Sequence, residues 1–210
     1  IWKGLVGSEM CIRDRDELDK SVLIYRQLLQ WMGGMGLIVL AIAVMPLLGI
    51  GGGQLFKTQT PGAMSNQKLT PRITNTARAL WLIYLGLTIL CLSSYKLAGM
   101  SFFDSFAHAL STVSIGGFST HDASIGFFNN INIEIVCMVF MVLSAINFSL
   151  HYGLIYRKQF LKYFYDPELR FFLSILFVIT AVVCISLFTL TDIANPLRYG
   201  IFQSVSIVTT

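Results

Sequence analysis

The chain has 210 residues, of which 55% are hydrophobic and only 12% charged, with a mean hydropathy of +0.69; that apolar share exceeds what a water-soluble domain carries and assigns the chain to a bilayer. Its net charge of +4 comes from basic residues in two clusters between apolar runs, with no basic face interleaved with aromatics, which excludes nucleic acid as a partner. Cys91, Cys137 and Cys184 each lie alone in an apolar segment, without the paired spacing of a metal site or disulfide framework, and read as small hydrophobes.

Residues 1–15, IWKGLVGSEMCIRDR, differ in character from the remainder of the chain and lack the apolar core of a cleavable signal; they read as a non-native leader, Cys11 included. Residues 16–50 form an outer segment and a first apolar run from Leu28 to Ile50. In that run Gly33, Gly34 and Gly36 read as small residues that allow close helix packing rather than as ion ligands. Further runs extend from Ala79 to Ala98, from Ile133 to Tyr156 and from Phe171 to Leu190. Each approaches the roughly 20 helical residues that cross a hydrocarbon core of roughly 30 Å.

The connection 51–78 holds Lys57, Lys68, Arg72 and Arg78 with no acid, and 157–170 holds Arg157, Lys158, Lys162 and Arg170 against Asp166 and Glu168. The positive-inside rule makes both cytoplasmic. Pro61, Pro71 and the glycines at 51–53 make the first an irregular loop. STVSIGGFSTHD, starting at Ser111, and TDIANPLRYG, ending at Gly200, then fall on the outer side.

Between the second and third runs, SFFDSFAHALSTV at 101–113 reaches only about 20 Å as a helix. It can enter a membrane but not cross it, so it reads as a re-entrant pore helix followed by a loop at 114–118. Non-helical backbone at that depth is tolerated only inside protein or against a watery cavity. Displacing the chain by 95 residues lays Ser111–Ile115 on Ser206–Thr210, each stretch preceded by a short helix and a full span. Residues 79–156 are then one complete unit, 16–50 the end of an earlier one and 171–210 part of a later one.

Alkali-cation selectivity needs fixed oxygens that replace the water shell, and main-chain carbonyls supply them. Gly116 and Gly117 give the backbone the freedom to aim successive carbonyls one way. Ser114 offers a carbonyl and a hydroxyl, Phe118 braces the loop from behind, and Asp122 raises cation concentration at the outer mouth. The helix before the loop points its partly negative end inward. Asp104 is an ionisable group at membrane depth with no partner evident in the sequence. His108, His121 and His151 are scattered over two sides of the membrane, which argues against a shared site. Asn147 and His151, one turn apart on the third run, suit an interhelical hydrogen bond.

Three stretches together resemble the Trk/Ktr/HKT superfamily of potassium uptake proteins: QWMGGMGLIVLAIAVMPLLGIGG from Gln30, HALSTVSIGGFSTHDASIG from His108, and FQSVSIVTT from Phe202. The resemblance runs from about Leu18 to Thr210. It implies an all-α membrane protein built of potassium-channel-like repeats, each a transmembrane helix, a re-entrant pore helix with a filter loop, and a second transmembrane helix. Carried over by position, K+ meets the backbone carbonyls of Ser114, Ile115, Gly116 and Gly117, and Thr209 and Thr210 take the matching places in the next loop. The implied function is potassium uptake by a multi-pass protein of the cytoplasmic (inner) membrane, with no enzymatic step and no cofactor. The implied partners are membrane lipid, a second copy in a homodimer and a cytosolic nucleotide-binding regulatory subunit. Channel-like and proton- or sodium-coupled uptake both stay open. Two rivals are a secondary transporter of another fold with discontinuous helices, which predicts inverted repeats, and an intramembrane enzyme using His121, Asp122 and a serine.

Overall fold

The computed structural model describes residues 16, 18–36, 70–158, 160–190 and 195–209. The leader at 1–15, the greater part of the first apolar run, the stretch 51–69 and Thr210 lie outside them. The described residues form helices α1 (Lys20–Trp31), α2 (Thr70–Leu97), α3 (Phe102–Val113), α4 (Ile131–Ala145), α5 (Phe148–Arg157), α6 (Phe160–Tyr165), α7 (Pro167–Leu190) and α8 (Pro196–Thr209). No strand occurs among them. This is an all-α membrane protein: α2 over Arg78–Leu97 and α7 over Pro167–Thr189 are long and apolar enough to cross a bilayer, and α4 with α5 are so together.

Helix starts follow local chemistry and shift the boundaries read from hydropathy. α2 begins at Thr70 rather than near Ala79, so 70–78 is helix and not irregular loop. Pro71 belongs to its first turn, where the missing N–H has no partner to lose. α7 begins at Pro167, four residues before the predicted Phe171, because the Asp166 carboxylate accepts the N–H groups of Glu168 and Leu169 at 3.0 and 3.2 Å. The connection 157–170 also carries α6. Asn130 caps α4 through the Asn132 N–H, and its amide donates to the Ala98 carbonyl, tying the start of α4 to the end of α2.

The predicted third span is not one helix. α4 and α5 are set at 91° across Ile146 and Asn147. Asn147 leaves the helical path to cap α5 through the Ser149 N–H and sends its amide to Glu168. His151 donates from Nε2 to the Leu143 carbonyl at 3.0 Å, pairing an acceptor that the break has released. Both side chains thus bond between helices, as the sequence suggests, and hold the break. α1 breaks in the same way: Gly34 has ψ −144 inside the turn Met32–Gly36, and the Tyr84 hydroxyl donates to the Trp31 carbonyl at 3.0 Å. Trp31 stacks on Tyr84 with centroids 5.3 Å apart, and its indole N–H donates to Thr88. Gly34 and Gly36 pack against Tyr84 as the sequence predicts, whereas space beside Gly33 is open.

α3 sits against α1, α2 and α4. Tyr84, Cys91, Tyr95, Ala109, Val113, Ile133 and Cys137 make the shared core. Cys91, Cys137 and Cys184 are buried free thiols.

Candidate functional site

Ser101 starts α3. Its hydroxyl accepts the Asp104 N–H and donates to the Asp104 carboxylate at 2.7 Å, a reciprocal cap that sets the helix entry. Asp104 therefore stands in the first turn, at the N-terminal end of α3, and its carboxylate also accepts the Thr120 hydroxyl at 2.8 Å. Burial pushes its acidity the wrong way, but the Ser101 and Thr120 hydrogen bonds and the nearby His121 and His108 outweigh that, holding the carboxyl below its ordinary range. The missing partner of Asp104 was legible in part: a serine three residues before an acid at a helix start is a capping pattern.

At the other end of α3, Ile115 N–H donates to Thr112 O at 3.1 Å and Gly116 N–H to Ser111 O at 3.0 Å. This pair of bonds closes a helix whose next residue is left-handed. That residue is Ile115, with φ 55, where glycine is usual and a β-branched side chain is an outlier. Gly117 has φ +72 and nothing within 4 Å of where a side chain would start. Gly116 is not in the left-handed region. The freedom read from the sequence thus divides differently: Gly117 takes the left-handed conformation, Gly116 abuts the Gln30 side chain, and Ile115 takes up the second left-handed position.

The space at Gly116 belongs to Gln30 of α1. A Cβ there would overlap Gln30 Cγ, Cδ and Nε2. Gly34 abuts Ser114 in the same seam. Phe118 is 38% exposed, and the Arg26 guanidinium lies 4.7 Å from its ring centre.

Beyond Phe118 the loop is strapped to its own helix. His108, 2% exposed, has Nδ1 2.9 Å from the Asp104 carbonyl and Nε2 2.9 Å from Ser119 Oγ. The carbonyl can only accept, so Nδ1 carries the proton and Ser119 donates to Nε2. Ser119 also accepts the His121 N–H at 3.2 Å. His121 stacks on Phe127 and places Nδ1 2.7 Å from Asp16 and Nε2 3.4 Å from Asp104. His108 and His121 therefore share one network through Ser119 and Asp104. His151 stands apart at the α4–α5 break. No group of three or more metal-ligating residues occurs among the described residues. Asp122 is exposed beside this network.

α8 spans 196–209, and α3 displaced by 95 spans 197–208, so the two short helices fall at matching places in the chain. Ser114 caps α3, and its counterpart Thr209 ends α8. Thr209 is buried and its hydroxyl donates to the Val205 carbonyl, so its side chain turns back on the helix. Ser111 and its counterpart Ser206 line one cavity of about 90 Å³ behind the loop. Arg198 of α8 grips Glu134 of α4 with two 2.7 Å bonds, and its Nη2 lies 3.4 Å from Asn129 Oδ1. Neither Glu134 nor Arg198 stands out in sequence beyond being a charge beside apolar runs.

Comparison with known proteins agrees with this architecture. A family model described as TrkH, cation transport protein, matches residues 7–209, a range that takes in residues 7–15. The Trk system potassium uptake protein TrkH of Halomonas elongata is 48% identical over 197 residues, covering 93% of this chain and 41% of that protein. The TrkH protein of Escherichia coli K12 is 41% identical over 198 residues with the same coverage. The crystal structure of the potassium transporter TrkH from Vibrio parahaemolyticus superposes with a TM-score of 0.75 at 44% identity, covering 94% of this chain and 40% of that one. The chain spans about 41% of the length of the curated relatives it matches.

Proposed function

Because this chain belongs to the TrkH cation transport protein family, we propose that it forms part of a potassium uptake protein, with the loop at 114–118 as one segment of a selectivity filter. The observation that carries the reading is the backbone of that loop. Left-handed residues at Ile115 and Gly117 flank Gly116, which is not left-handed, at the C-terminal end of a helix too short to span a bilayer. Alternation of hand turns successive carbonyls toward the same side, and the helix end adds its partial negative charge. Carbonyls of Ser114, Ile115, Gly116 and Gly117 then replace the water shell of K+. Thr209 and Thr210 take the matching places in the next loop. The outer network of Asp104, His121 and Asp16, with Asp122 at its rim, keeps negative charge at the entrance.

The whole protein, on this reading, is a multi-pass protein of the cytoplasmic membrane that moves K+ without covalent chemistry, works as a homodimer and answers to a cytosolic nucleotide-binding subunit. Its relatives are named as potassium uptake proteins, which supports the ion and the direction. The test restores the full-length gene to cells lacking potassium uptake. The wild type restores growth at low potassium, and Gly117→Ser, which must place a side chain at φ +72, does not. Equal rescue by both rejects the filter assignment.

A further inference from the structure

Gln30 lies one turn before the break in α1, and nothing in the chemistry of ion passage calls for an amide there. Its Oε1 is buried without a hydrogen-bond partner, as is Oε1 of Gln27, one turn earlier on the same face. A buried unpaired carbonyl is destabilising, so a residue that keeps one does so against its own stability. What Gln30 touches is the filter loop: its side chain occupies the position that a Cβ on residue 116 would take. Gly116 has no left-handed φ, so conformation alone would admit alanine there. Gly117 is the reverse case, with open space and a φ of +72. The two adjacent glycines answer to different causes, and one of those causes is a side chain more than eighty residues away in sequence.

We propose that Gln30 is a positioning residue for the filter. Reaching from α1, it fills the space beside Gly116 and fixes how deep the loop sits and where the Ser114–Gly117 carbonyls point. The neighbouring contact of Gly34, just past the end of α1, on Ser114 extends the same seam, so the loop is backed at two of its carbonyl-bearing residues. This inference rests on the filter reading above and adds to it the residue that sets the loop's place.

The experiment is a pair of double-mutant cycles in the full-length protein, expressed in cells lacking potassium uptake. The readouts are the KM for K+, the discrimination of K+ over Na+, and the amount of protein in the membrane. In the wild-type background Gly116→Ala lowers discrimination about tenfold or more, the size of a 1.4 kcal/mol change. In the Gln30→Ala background, where the space has been vacated, Gly116→Ala adds no further loss. Gly117→Ala, whose cost is conformational, lowers discrimination by the same factor in both backgrounds. If Gly116→Ala fails to accumulate, recovery of its membrane abundance by Gln30→Ala supports the proposal equally. Gly116→Ala with the same penalty in both backgrounds overturns the role of Gln30 while leaving the filter reading intact. Normal discrimination in the Gly117→Ala protein overturns both.

Discussion

Ser119 is the smallest group on which the outer end of the loop depends. It is 1% exposed, donates to His108 Nε2 at 2.9 Å and accepts the His121 N–H at 3.2 Å. Ser119→Ala removes one oxygen and takes a partner from two polar groups at once. A buried group deprived of its partner costs roughly 1–3 kcal/mol, and one or two kcal/mol changes a conformational ratio by roughly 5- to 30-fold. The strap joins α3 to the chain two residues beyond Gly117, so the population that shifts is that of the aligned loop rather than of the folded protein. The expected result is a loss of K+ over Na+ discrimination of about tenfold, with normal membrane abundance. Ser119→Thr, which keeps the hydroxyl, retains near wild-type discrimination. Initial uptake rates of Rb+ and Na+ by cells carrying each full-length variant provide the assay. Wild-type discrimination by Ser119→Ala at normal abundance refutes the argument.

Tyr84→Phe keeps the Trp31 stack and deletes only the O–H that pairs the Trp31 carbonyl; the full-length protein in detergent is expected to melt several degrees lower, at a cost of roughly 1–3 kcal/mol, and an unchanged melting temperature counts against the carbonyl-pairing role. The Asp104 carboxyl is held below its ordinary value in the folded chain, so its contribution to stability is complete above the unfolded value of about 3.9 and fades as pH falls through the lower folded one. Acid titration followed by intrinsic fluorescence is expected to show the outer network intact at pH 5. Asp104→Asn removes the part of the acid sensitivity that lies below about pH 4.

Hydropathy and length revealed the helices and the half-length of α3, because burial in lipid imposes those patterns on every residue of a run. The loop at 114–118 was legible from its glycines. Which glycine needed what was not, since Gly116 is constrained by Gln30, and a packing contact between distant segments leaves no local signature. The breaks at Gly34 and Ile146 escaped for a related reason. Tyr84 and His151 pair the released carbonyls, so the apolar run continues unbroken in sequence while the helix does not. The His108–Ser119 strap likewise joins residues whose pairing depends on how the chain leaves α3.

The elbow between α4 and α5 has a bearing on how this stretch meets a bilayer. Fifteen residues of α4 advance about 22 Å, short of a hydrocarbon core of roughly 30 Å. The next ten turn away at 91°, so the stretch is long and apolar enough to cross only when both limbs are counted. Length that a straight helix would supply in one direction is here divided between two limbs, and the joint between them is held by side chains, Asn147 on Glu168 and His151 on Leu143.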